Sequence, residues 1–127
     1  MKLRTMLVAT AMTLVVSPSF AGSALKALDT DHDGTIDLAE AKAAATAVFD
    51  RLEGDHDGTL DRRELKGRIS KADWPTADPD NDKTISKDEY LAFVEFAFKR
   101  ADTDHEGTID AKELRTREGA ALMRLLR

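Results

Sequence analysis

The chain has 127 residues, enough for one domain with a single hydrophobic core. It contains no cysteine, which excludes disulfide bonds, thiolate metal sites and cysteine nucleophiles. A formal net charge of −5 and an aromatic content of 6% indicate neither a nucleic-acid-binding patch nor a transmembrane protein.

The first 21 residues have the layout of a secretory signal peptide. Lys2 and Arg4 give a basic start, residues 6–16 are apolar, and small residues stand at positions 19 and 21. Cleavage after Ala21 is therefore predicted, which leaves residues 22–127 as an exported chain, periplasmic or secreted. The alternative is a membrane anchor, but the apolar run is about half of the ~20 residues needed to span a bilayer. We expect no stable membrane insertion of the mature chain.

A twelve-residue acidic string occurs four times in the rest of the chain. The copies read DTDHDGTIDLAE (29–40), EGDHDGTLDRRE (53–64), DPDNDKTISKDE (78–89) and DTDHEGTIDAKE (102–113), and we number them loops 1 to 4. Their starts are 24, 25 and 24 residues apart, and each copy carries acids at positions 1, 3, 5 and 12. A solvated charge run does not need such a fixed length, whereas a cage for a hard cation does.

This pattern suits calcium, which takes six to eight oxygen ligands at about 2.3–2.6 Å. Carboxylates at positions 1, 3 and 5 converge as the backbone curls, with the positive-φ turn at Gly34 keeping the curl tight. Position 7 offers its backbone carbonyl, position 9 holds a water, and the glutamate at position 12 reaches back with both oxygens. Ile36, at position 8, suits a short strand bridge to another loop. The predicted ligand set is Asp29, Asp31, Asp33, Thr35, Asp37, Glu40, Glu53, Asp55, Asp57, Thr59, Asp61, Glu64, Asp78, Asp80, Asp82, Thr84, Ser86, Glu89, Asp102, Asp104, Glu106, Thr108, Asp110 and Glu113.

Loop 1 satisfies the full D-x-[DN]-x-[DN]-G-x5-E motif. With its four copies the chain resembles the EF-hand family of calcium-binding proteins, and most of all the small exported bacterial members. The resemblance covers nearly all of residues 22–127. It implies an all-α EF-hand fold with a helix entering and a helix leaving each of four calcium-binding loops, short β-bridges between loops, and Ca²⁺ as the bound ion.

Three loops depart from this motif. Loop 2 begins with Glu53, loop 3 has Lys83 at the glycine position and Ser86 at position 9, and loop 4 has Glu106 at position 5. A non-glycine residue at positive φ costs roughly 1–2 kcal/mol, and Lys83 also brings a positive charge to a cation site. We therefore rank the predicted affinity as loop 1, then loop 4, then loops 2 and 3, with loop 3 the weakest.

The segments between the loops predict helices. Residues 38–52 are alanine-rich without glycine or proline and form one helix, residues 88–101 form a second, and residues 111–126 form a last amphipathic helix. Gly67 and the turn-forming string ADWPTADPD place a hinge between two halves near residues 72–77. The apolar string YLAFVEFAF (90–98) covers more than one helix face, which favours a helix buried all round over an exposed partner surface.

The short spacing predicts how the loops pair. Only twelve residues separate loop 1 from loop 2, and loop 3 from loop 4, so one straight helix leaves one loop and enters the next. Loops 1 and 2 then lie at opposite ends of that helix. After the hinge, loop 1 would pair with loop 3, bridging Ile36 to Ile85, and loop 2 with loop 4, bridging Leu60 to Ile109. The alternative is a kink near residues 43–45 that bridges Ile36 to Leu60.

The predicted function is calcium binding, as an exported buffer or store, without catalysis. The sequence has no nucleophile motif, phosphate loop or H-E-x-x-H, and metal cages account for its carboxylate pairs. The alternative is a calcium-dependent sensor or interaction module with a protein partner of unknown identity; a dockerin-like adhesion module is a third. Residues 22–127 contain one methionine, Met123, so a Met-rich sensor groove is missing, and every loop ends in glutamate, unlike dockerin-like repeats. His32, His56 and His105 stand at position 4, which supplies no ligand, and we interpret them as outward-facing residues.

Overall fold

The computed structural model describes residues 20–127. The predicted signal peptide lies outside the described residues, except for its last two positions. No helix of residues 20–127 has the length and apolar character that crossing a bilayer requires. In chain order the elements are α1 (Phe20–Leu28), β1 (Ile36–Asp37), α2 (Leu38–Leu52), β2 (Thr59–Leu60), α3 (Arg62–Leu65), α4 (Trp74–Ala77), β3 (Ile85–Ser86), α5 (Lys87–Ala101), β4 (Thr108–Ile109), α6 (Ala111–Leu114) and α7 (Arg117–Leu125).

Two helices of 15 residues each, α2 and α5, form the centre of the fold. The structure confirms the two predicted inter-loop helices, and α5 begins one residue before its predicted start. Each starts with a capping box, in which the side chain at loop position 9 accepts a hydrogen bond from the backbone of the glutamate at position 12, and that glutamate side chain accepts one in return. Their facing sides carry the core, where the rings of Phe49 and Tyr90 lie 5.8 Å apart.

The two central helices run in opposite directions. Lys42, near the start of α2, pairs with Glu95 of α5 at 3.1 Å, whereas Asp50, near the end of α2, pairs with Lys87 at the start of α5 at 2.6 Å. These pairs are half exposed, so they stabilise the fold little. They do show that the start of each helix lies beside the end of the other.

Both predictions of loop pairing are wrong. Strand β1 pairs with β4, antiparallel, with Ile36 opposite Ile109, and β2 pairs with β3, with Leu60 opposite Ile85. The straight helix between loops 1 and 2 is confirmed, and the error lies in the direction of α5. Because the chain between loops 2 and 3 is coiled into α3, α4 and the turns at Ser70 and Asp73, it stays at one end of α2, and α5 returns antiparallel.

The C-terminal segment is two helices, not the single helix predicted over residues 111–126. Helix α6 ends after one turn, and Thr116 caps α7 by accepting the Gly119 N–H at 3.0 Å. The chain bends so closely here that a Cβ on Gly119 would lie 2.1 Å from the Glu113 carbonyl oxygen. Helix α7 then packs on α5, where the Tyr90 hydroxyl donates to the Leu125 carbonyl at 2.6 Å.

Residues 72–77, predicted as a hinge, include the four-residue helix α4. Trp74 is buried, and the Arg62 guanidinium lies 4.5 Å from the centre of its ring. The prediction that the helix containing residues 90–98 is buried all round is partly wrong. Tyr90, Phe93 and Phe98 are buried, but Phe96 is 38% exposed.

Candidate metal centre

Each of the four loops folds its acidic side chains around one point. The oxygens that could serve as ligands lie within 4.8 Å of one another in every cluster. Two oxygens that bind one calcium ion at about 2.3–2.6 Å can be at most about 5 Å apart, so the spacing fits a shared ion. The clusters are Asp29, Asp31 and Glu40; Glu53, Asp55 and Asp57; Asp78, Asp80, Asp82 and Glu89; and Asp102, Asp104 and Glu113.

Backbone hydrogen bonds fix the carboxylate at position 1 of every loop. In loop 1 the N–H of Gly34, at position 6, donates to Asp29 at 2.8 Å, and in loop 3 that of Lys83 donates to Asp78 at 2.9 Å. The same bond joins positions 6 and 1 in loop 2 at 2.5 Å and in loop 4 at 2.9 Å. Since the aspartates at position 1 are almost fully buried in loops 1, 3 and 4, they reach the loop centre from the protein side.

The hydrogen bonds of the glutamate at position 12 differ among the loops: loops 1 and 4 are alike, whereas loops 2 and 3 each have their own arrangement. In loop 1 a Glu40 oxygen accepts the Thr30 N–H at 2.9 Å, and Glu113 has similar contacts in loop 4. In loop 2 Glu64 accepts the Gly54 N–H at 3.3 Å but does not join the cluster. In loop 3 the Oε2 atom of Glu89 is buried and has no hydrogen-bond partner. A buried acceptor without a partner is costly, so this oxygen favours a cation beside it.

Most of the other predicted ligand residues make hydrogen bonds within their loops. The side chains at position 9 cap the following helices: Asp37, for example, accepts the Glu40 N–H at 2.7 Å. In loops 1 to 3 the threonine at position 7 donates its hydroxyl to the aspartate at position 5. The predicted carboxylate ligands outside the clusters are Asp33, Asp37, Asp61, Glu64, Glu106 and Asp110. The clusters consist of carboxylate side chains, so the backbone ligands predicted at Thr35, Thr59, Thr84 and Thr108, and the ligand predicted at Ser86, stay predictions.

The sequence interpretation missed the backbone role of position 4. His32, His56, Asn81 and His105 all have positive φ, between 53° and 59°. Histidine and asparagine are among the non-glycine residues that adopt this conformation most readily, and their repetition at one position was the available signal. Position 6 also has positive φ, 83° at Gly34 and 67° at Lys83, so the predicted strain at Lys83 is present.

The carboxylates at positions 1 and 3 perturb one another. A hydrogen bond to Asp29, together with burial and the other acids of the loop, raises the pKa of Asp31 to about 6. The bond to Asp78 likewise raises the pKa of Asp80 to about 6. Burial raises the pKa of Asp29, but the hydrogen bonds that it accepts outweigh burial and hold its pKa below the ordinary value. The two carboxylates of each pair therefore share one proton, and a cation bound between them would relieve their repulsion.

Two comparisons with known proteins agree with this geometry. The EF-hand family model matches residues 22–42 and 93–116, which contain loops 1 and 4. Lanmodulin from Methylorubrum extorquens is 58% identical over 66 residues, which are 47% of this chain and 50% of that protein. The match thus spans about half the length of the curated relative.

Proposed function

We propose that the chain is an EF-hand metal-binding protein, as its similarity to the EF-hand family model and to lanmodulin suggests, and that it serves as an exported calcium buffer or store. The observation that carries this proposal is the convergence of acidic oxygens within 4.8 Å in each of the four loops. Because coordination accounts for these carboxylates, the proposal assigns no catalytic step to the chain.

The charge distribution supports the binding of several cations. Residues 22–127 keep 17 of the 19 lysines and arginines and all 24 acids, a net charge of −7. Of those acids, 19 stand at predicted ligand positions. Four divalent ions would bring the net charge to +1, so the repulsion that opposes compact folding would be relieved by binding. We therefore expect calcium to stabilise the fold strongly.

Loop 3 is included among the proposed sites, although the sequence ranks it last. Its cluster holds four carboxylates, whereas each of the others holds three. The unpartnered Oε2 of Glu89 adds a reason for a cation at this loop. Against these stands the strained backbone of Lys83. We expect loop 3 to bind calcium and loop 2, whose Glu64 lies outside the cluster, to be the weakest site.

Calorimetric titration of the protein with calcium tests the proposal. We expect two to four sites, with affinities between the ~10⁻⁴–10⁻³ M of extracellular modules and the ~10⁻⁷–10⁻⁵ M of sensors. Glu40→Gln should remove the loop 1 site and Glu89→Gln the loop 3 site. Glu118→Gln, outside every loop, is the matched control and should retain all sites. A titration without calcium heat at millimolar concentration would reject the proposal.

The number of carboxylates in each loop favours a second candidate ion, a trivalent cation such as a lanthanide, which is a hard cation like calcium. Loops 1, 2 and 4 each carry five carboxylates at predicted ligand positions, so a divalent ion leaves a charge of −3 and a trivalent ion −2. Coulomb attraction to each carboxylate scales with ion charge. Terbium should therefore displace calcium, and Asp33→Asn should weaken terbium binding at loop 1 more than calcium binding. Equal losses for the two ions would argue against this candidate.

Export and a sensor role have separate tests. If the chain is exported, mass spectrometry of the periplasmic or secreted fraction should find it beginning near residue 22; recovery of the uncleaved chain in the cytoplasm would contradict export. A sensor would expose apolar surface when calcium binds, and Phe96 is the exposed large apolar side chain among the described residues. A buffer should show the same accessibility of this ring to a collisional probe with and without calcium.

A further inference from the structure

A cavity lies apart from the carboxylate clusters, between α5, α7 and the segment that joins α3 to α4. Its volume is about 310 Å³, at the lower end of the ~300–1,000 Å³ typical of small-molecule sites. Part of its lining is apolar, from Phe93, Phe96, Ala97 and Leu125. None of its lining residues is a predicted metal ligand.

Four arginines line this cavity, and two acids accompany them. Two of the arginines are held by the protein. Arg68 donates to the carbonyl oxygens of Leu65, at 3.3 Å, and Arg127, at 3.1 Å, and Arg100 pairs with Asp73 at 3.6 Å. The four arginines are Arg68, Arg100, Arg117 and Arg124, and the acids are Asp73 and Glu118, so the lining has a charge of +2.

The other two arginines are available to a ligand. Arg117 and Arg124 are exposed, and within residues 20–127 neither makes a side-chain hydrogen bond or an ion pair. They stand seven residues apart on α7, two helical turns, so they share a face at a separation of roughly 10 Å along the axis. Ala121, between them, also lines the cavity and leaves room on that face.

Helix α5 contributes two aromatic rings to the cavity lining, the buried Phe93 and the partly exposed Phe96. The rings of Phe93 and Phe96 stack with centres 5.8 Å apart and an angle of 29° between their planes. Phe96 is 38% exposed, and the Arg100 guanidinium lies 5.6 Å from its ring centre. A planar ligand can therefore pack against the exposed part of the Phe96 ring while its charged groups reach the arginines.

We propose that this cavity binds a small organic anion that has a flat aromatic body and two anionic groups no more than about 10 Å apart. Guanidinium groups bind carboxylate, sulfonate or phosphate oxygens through paired hydrogen bonds and also stack on planar rings. The cavity supplies both kinds of contact together. This site is independent of the metal loops and does not rest on the function proposed for them.

Fluorescence titration with naphthalene-2,6-disulfonate, a flat aromatic dianion, tests the proposal on the protein at a fixed calcium concentration. Naphthalene-2,6-dimethanol, which has the same ring system without charge, should bind at least about tenfold more weakly, since a hydrogen bond to a charged group contributes about 1.5–3 kcal/mol. Arg117→Gln, Arg124→Gln and Phe96→Ala should each weaken binding of the dianion about tenfold.

Arg63→Gln is the matched control, because Arg63 is also exposed and lies outside this cavity. It should leave the affinity unchanged. Circular dichroism of each variant establishes that it is folded before its affinity is compared. Equal affinity for the neutral diol would overturn the proposal because the arginines would then contribute nothing, and so would binding that survives all three substitutions, because the dianion would then occupy another surface.

Discussion

The antiparallel arrangement of α2 and α5 makes a quantitative prediction about Ile36. This side chain is completely buried, and its strand partner is Ile109, also completely buried. Truncating either to alanine removes buried carbon atoms and leaves a cavity, at a cost of about 2–5 kcal/mol. Because the two side chains lie opposite each other, the double variant should deviate from additivity by about 0.5–3 kcal/mol.

Ile85 supplies the control pair. It is as deeply buried as Ile109 but pairs with Leu60 at the other end of α2. A helix of 15 residues is about 22 Å long, so Ile36 and Ile85 are too far apart to couple. Their double variant should be additive within about 0.5 kcal/mol.

Urea unfolding followed by circular dichroism, at one saturating calcium concentration, gives the free energies of unfolding. If a double alanine variant does not fold, the same cycle with valine applies, at about 0.5–1.5 kcal/mol per site. Coupling between Ile36 and Ile85, with additivity between Ile36 and Ile109, would refute the antiparallel arrangement and restore the pairing predicted from the sequence.

Three other substitutions, one of them with a control variant, test particular features of the structure. Lys83→Gly should relieve about 1–2 kcal/mol of backbone strain and tighten calcium binding at loop 3; an unchanged affinity by calorimetry would contradict the assigned role of the positive φ. Burial raises the pKa of Tyr90 to about 12. Tyrosinate absorbance comes from this single tyrosine, so its titration midpoint should lie near that value. The free energy of unfolding should fall as pH rises from 10, the pKa of the unfolded state, because the folded state then holds the proton more tightly. Tyr90→Phe should cost about 1–3 kcal/mol, because the Leu125 carbonyl loses its donor; a midpoint near the ordinary value, or no loss, would count against this contact. Gly119→Ala should lower the melting temperature because the added Cβ meets backbone atoms. Ala120→Gly, at an exposed position of α7, is the control and should lower the free energy of unfolding by only about 1 kcal/mol. Equal losses of stability in the two variants would show that the bend at Gly119 is not tight.

The loops and the long helices could be predicted because each depends on residues close together in the chain. The capping box that starts α2 joins Asp37 to Glu40, three residues apart, and the bond from Gly34 to Asp29 spans five. The acidic cluster of loop 1 forms within one twelve-residue segment. Local spacing therefore indicates where the carboxylates converge.

The break before α7 could not be predicted from local patterns, although the residues that cause it are visible in the sequence. Leu114, Leu122 and Leu125 fit one amphipathic stripe, which favoured a continuous helix. The structure instead bends at Thr116 and brings Gly119 against the Glu113 carbonyl, because α7 must turn to pack on α5. A distant contact thus overrides the local periodicity.

The sequence by itself determined the acidic loops, the extent of α2 and, nearly to the residue, that of α5, and the choice of Ile36, Leu60, Ile85 and Ile109 as bridging residues. Only the tertiary structure decided which loops pair. Every bridging position holds a similar β-branched or leucine side chain, so the strands themselves carry no information about their partners. The choice follows from the direction of α5 relative to α2, which is set by packing such as that of Phe49 on Tyr90, 41 positions apart in the chain.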